Sequence, residues 1–136
     1  MAGRFDLRIQ EAIVLACEDM AAADQRLVEL HAEAREEEDR SATLACLKAL
    51  SVITSVTGAE DGRWLKVCRT LAREEPDNPS SWITLGQAEE GHHRFAAAGR
   101  AYLNALELSQ DKRTDQLLKD ALDRIAKAMA DSEPSP

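Results

Sequence analysis

Hydrophobic positions recur with a helical period along nearly the whole chain. Across residues 4–38, a stretch with no glycine or proline, Ile9, Ile13, Ala16, Met20, Ala23, Leu27, Leu30 and Ala34 alternate at spacings of four and three. That is a heptad seam. Val14, Cys17, Ala21 and Val28 widen it into a broad stripe, as in helices packed on a globular body. The pattern predicts one long helix packed within the chain. A break near Asp24, an N-cap residue type, would make it a helical hairpin. A two-chain coiled coil, giving a homodimer through residues 9–34, is the structural alternative.

The charged run Arg35–Arg40 ends this segment, and Ser41 is the expected N-cap of a helix to about Val56 with Leu44, Leu47, Leu50 and Ile53 inward. Two glycines, Gly58 and Gly62, mark a turn. A helix over about 61–74 follows. Residues 75–79, with Pro76 and Pro79, form a strong break, and Pro79 suits the first turn of the next helix. Helices are expected at about 79–90, 94–109 and 113–130, and residues 131–136 read as a disordered tail. Domain organisation follows: an acidic N-terminal helix or hairpin over 1–40, a helical body over 41–130, and the tail.

Within the body, Trp82-x-x-Leu85-Gly86, Ala98-x-x-x-Tyr102 and Ala105 stand at the spacing of a two-helix repeat of about 34 residues. The stretch 79–108 resembles a tetratricopeptide (TPR) repeat. Glu89 replaces the usual Tyr, and Gln110 replaces the usual Pro. Moved back by 34 residues, Pro76, Leu71 and Cys68 fit the pattern, whereas Lys48, Ser51, Val52 and Trp64 depart from it. Residues 45–78 thus resemble a degenerate copy. The resemblance implies an all-α fold of about six helices in TPR-like antiparallel hairpins, with the long N-terminal helix in front and a C-terminal capping helix behind. It also implies tasks: Gly86 permits close helix approach, and Ala98 and Ala105 are small where helices cross.

Composition narrows the function. Apolar residues make up 44% and aromatics 4% of 136 residues, which favours a helical core over a sheet. A net charge of −8 opposes binding to nucleic acid or to anionic membranes. Residues 1–40 hold eleven acids and five bases, so most of the excess lies there. Cys17, Cys46 and Cys68 are scattered and suit a reducing compartment. With no signal-peptide pattern and no spanning run, a cytoplasmic protein is expected.

Candidate chemistry is sparse. His92 and His93 are adjacent in a turn and lack the spacing of a metal pair. No nucleophile elbow, phosphate loop or dinucleotide fingerprint occurs. No enzyme activity, metal or cofactor is expected. Arg63, Lys66, Arg69 and Arg73 fall along one helix face, a dock for an acidic segment, either of a partner or the Glu36–Asp39 run of this chain. The TPR resemblance further implies a concave groove lined by the first helix of each pair, here Ala49, Ile53 and Val56, then Ile83, Gln87 and Glu90. Such an apolar groove fits a helical or extended peptide of another protein, or is filled by the chain's own N-terminal helix. The expected role is a protein–protein interaction scaffold or adaptor, a chaperone or assembly factor. A secretion-type chaperone for an export substrate and a structural homo-oligomer are the alternatives.

Overall fold

A computed structural model of the chain describes residues 3–58 and 60–132. Those residues are all-helical: α1 (Asp6–Leu15), α2 (Met20–Glu36), α3 (Arg40–Thr57), α4 (Arg63–Glu74), α5 (Pro79–Gly91), α6 (Phe95–Leu108) and α7 (Lys112–Ser132). The chain divides into two compact units, Met1–Glu74 and Glu75–Pro136. The division falls inside the body expected over 41–130, because α3 packs extensively on α2 as well as on α4.

In the first unit the expected single N-terminal helix is two helices. Its break lies at 16–19 and not near Asp24. Asp19 takes extended backbone and its carboxylate accepts the Ala22 N–H at 3.0 Å, which starts α2. Asp24 lies in the body of α2 and is buried. The link from α2 to α3 is short. Glu38 adopts the left-handed backbone at φ 56, and the Asp39 N–H returns to the Ala34 carbonyl at 2.9 Å. Asp39, not Ser41, then caps α3, accepting the Ala42 N–H at 3.0 Å.

Most of the heptad seam is spent inside this unit. Ile9 of α1 and Ala23, Leu27, Leu30 and Ala34 of α2 are buried with Phe5, Ala12, Cys46, Leu50 and Ile53. Those five seam residues are therefore engaged within the chain, whereas Ile13 and Met20 of the same seam stay exposed. The turn to α4 is tight at Gly58, where a Cβ would stand 2.8 Å from the Arg63 Cβ.

In the second unit Asn78 caps α5 by accepting the Ser80 N–H at 3.0 Å, with Pro79 in the first turn. Gly86 lies flat against the Tyr102 ring: a Cβ there would stand 2.5 Å from Cε1. Ala98, Tyr102, Ala105, Leu118, Ala121 and Ile125 form the core, with Trp82, Ile83 and Phe95 at its margin. Helix α7 runs to Ser132, so Asp131 and Ser132, expected in the tail, end the helix. Residues 133–136 lie outside the described residues.

Burial reveals a sequence register different from the 34-residue comparison. In α5, Ser81, Leu85, Gly86, Ala88 and Glu89 are buried; in α3, Cys46, Leu50, Ser51, Ile53 and Thr54 are buried, each 35 positions earlier. Val52, set against Gly86 by the 34-residue shift, is 69% exposed. Leu50-Ser51 therefore corresponds to Leu85-Gly86. In the second helices the offset is 33: Leu65, Cys68 and Ala72 match Ala98, Ala101 and Ala105. The loop 58–62 is two residues longer than the loop 92–94, which accounts for the change of offset.

Candidate functional site

The basic stripe of α4 is one wall of a groove within the first unit. Helix α3 supplies the floor, with Leu44, Leu47 and Leu50. Helix α2 supplies Val28, His31 and Arg35. Helix α4 supplies Arg63, Lys66, Val67 and Arg73, and the whole encloses about 730 Å3. A volume of that size lies in the range of binding clefts. Both α2 and α4 pack on α3 but hardly touch each other, which leaves the space between them open.

Two ion pairs fix the ends. At one end the buried Asp24 carboxylate receives both arms of Arg63, at 2.8 and 2.6 Å, and the Thr57 hydroxyl at 2.6 Å. The guanidinium holds the Asp24 pKa below the usual carboxylate value, against the upward push of burial. At the other end Arg40 reaches the Glu74 carboxylate at 3.3 Å and the Glu74 carbonyl at 2.9 Å. These contacts span 39 and 34 residues of sequence.

Of the four predicted docking bases, Arg63, Lys66 and Arg73 line the groove and Arg69 does not. Arg63 is committed to Asp24, so its role corrects to a clasp across the groove end. Lys66 and Arg73, exposed and joined by Arg35 from α2, are without an ion pair among the described residues. His31 is half-buried on the α2 wall, and burial, with Arg35 in support, pushes its pKa down. Sequence reading missed Arg35, Arg40 and His31. Their only signal was position on an amphipathic helix, which does not say which helices flank one another.

The six residues assigned to the expected TPR-type groove belong three to each unit. Ile53 is 5% exposed in the first core, and Ala49 packs against the same cluster as Phe5 and Ile9. Ile53 is thus a core residue of the first unit, and Ala49 is partly buried beside it. Val56 is 71% exposed. In the second unit Ile83 is half-buried at the core margin and Gln87 is exposed. Glu90 is occupied: it accepts the Tyr102 hydroxyl at 2.8 Å and Arg124 Nε and Nη2 at 2.6 and 2.9 Å. Arg124 foremost holds its pKa low. Its role corrects to a tie joining α5, α6 and α7.

Burial pushes the Cys46 thiol up to about 11 and the Cys68 thiol up to about 12, whereas Cys17 is exposed. His93 stands at φ 59 with its ring edge-on to Phe95. Among the described residues no cluster of His, Cys, Asp and Glu suits a metal ion, and no helix is long and apolar enough to cross a membrane. No protein-family model, no curated protein and no solved structure matches the chain.

Proposed function

We propose that the chain is a non-enzymatic protein-interaction scaffold, a TPR-like adaptor that holds a segment of another protein. One observation carries the reading: the first unit keeps an open cleft with an apolar floor and charged walls, on helices fixed at both ends by ion pairs. A rigid helical support with an unfilled apolar cleft is suited to helix or peptide capture. The repeated burial pattern of α3 and α5, with Leu50-Ser51 in the register of Leu85-Gly86, supports the kinship with two-helix repeats.

The test is position-resolved photo-crosslinking in an extract of the native host. A photoreactive residue at Val28, on the groove wall, should give a discrete protein adduct. The same residue at Lys119, on an exposed part of α7, should not. Val67→Glu should remove the Val28 adduct while helicity persists. Equal adducts from both positions, or none at Val28, would overturn the scaffold reading.

A further inference from the structure

We infer that the α2–α3–α4 groove is built for an acidic amphipathic helix of a partner protein; the inference rests on the scaffold reading and specifies its ligand. The chain carries 25 acids against 17 bases. Yet Arg35, Lys66 and Arg73 gather around one apolar floor without an ion pair among the described residues, against a single uncommitted carboxylate in the lining, Glu38, so the lining keeps an excess of bases. In an acidic protein, bases left unpaired beside accessible apolar side chains, here Val28, Leu44 and Val67, complement a ligand of opposite charge. Arg40 and Arg63 are neutralised by Glu74 and Asp24 and hold the walls.

Shape selects the helix. Because α2 and α4 flank α3 with little mutual contact, the cleft between them offers two helical walls and a helical floor. A further helix packs into such a trough at the usual interaxial distance of about 8–10 Å. From Arg40 to Leu50 the floor extends about 15 Å, or about three helical turns. The ligand therefore places apolar side chains at i, i+3 or i+4, and i+7 onto Val28, Leu44 and Val67. Its carboxylates flank that stripe and meet Arg35 on one wall and Lys66 and Arg73 on the other. The unpaired bases set the sign of the ligand, and the apolar lining sets its apolar period.

The experiment measures fluorescence anisotropy of the full chain with three labelled 14-residue helical peptides. All share leucines at that spacing; the other positions carry Glu, Gln or Lys. The Glu peptide should bind, the Gln peptide at least about tenfold more weakly, and the Lys peptide not measurably. Added salt should weaken the Glu peptide and leave the Gln peptide unchanged. The triple variant Arg35→Ala, Lys66→Ala, Arg73→Ala should bring the Glu peptide down to the Gln level. These side chains make no ion pair in the fold, so its circular dichroism melt should match the parent. Val67→Glu should reduce Glu and Gln peptides alike. Equal affinity for Glu and Gln peptides would overturn the charge inference and leave the scaffold standing. No binding by any peptide would count against the groove as a docking site at all.

Discussion

Removing Arg63 tests the clasp that closes the groove. Asp24 is 5% exposed in the parent, and in Arg63→Ala its carboxylate keeps the Thr57 hydroxyl as its remaining partner. Breaking a buried pair from one side costs about 3–5 kcal/mol, because the remaining charge is stranded. Here the Arg63 side chain is 39% exposed, so water reaches the pair from that side, and the expected loss falls to about 2–3 kcal/mol. Asp24→Ala should cost less, about 1 kcal/mol, since the freed guanidinium turns to solvent. The double variant should cost little more than Asp24→Ala, because the stranded charge is gone. Urea unfolding of the full chain, followed by circular dichroism, measures all four proteins. Acid supplies the internal control. In the parent, the Asp24 pKa lies below its ordinary value. Its contribution is present above the unfolded pKa and lost as pH falls through the folded one. In Arg63→Ala the largest downward influence is removed and burial raises that pKa. The deficit of the variant should therefore shrink from pH 7 to pH 4.5. If Asp24→Ala is the more damaging substitution, or if the Arg63→Ala deficit grows with acid, the stranded-charge reasoning is wrong.

Gly86→Ala should destabilise by about 1–3 kcal/mol, because its Cβ would enter the Tyr102 ring at 2.5 Å; an unchanged urea midpoint would refute the close-approach argument. Ile53→Glu should unfold the first unit and not simply weaken binding, since it buries a charge in the core; retained helicity with a parent-like melt would return Ile53 to a surface role. His31 has a lowered pKa from burial and from Arg35, so the unfolded chain binds its proton first. Stability should then fall as pH drops through about 6.5 and further until the folded pKa is passed; His31→Gln should be flatter over that interval, and superimposable pH profiles would exclude His31 as the cause. A thiol-specific disulfide reagent should modify Cys17 quickly in the native protein and leave Cys46 and Cys68 until unfolding, with three rapid equivalents as the refuting count.

What could be read before folding were features local in sequence. Periodicity, Pro79 and the glycine turn located α3 to α7 to within a few residues, because each helix is specified by neighbours within a turn or two. The Trp82–Ala105 motif located a close helix approach at Gly86, but that the Tyr102 ring fills the space there is seen only in the fold. Asp19, Asp24 and Asp39 show where local reasoning stops. All are cap-type residues before apolar helix, yet two cap helices and the third is buried. Arg63 and Thr57, 39 and 33 residues away, distinguish Asp24 from the others. The one-residue register error at Val52 has a similar origin: loop length between helices shifts the offset without altering either helix's pattern. An all-α fold with an α5–α6 hairpin and a basic α4 face was legible from the amino-acid pattern. Only the fold shows that Ile9, Ala23, Leu27, Leu30 and Ala34 of the N-terminal seam are buried within the chain, that Ile53 and Glu90 are structural, and that Arg35 joins Lys66 and Arg73 around one groove. Which helix faces meet depends on burial and charge pairing between segments far apart in the chain, and no local pattern records those free energies.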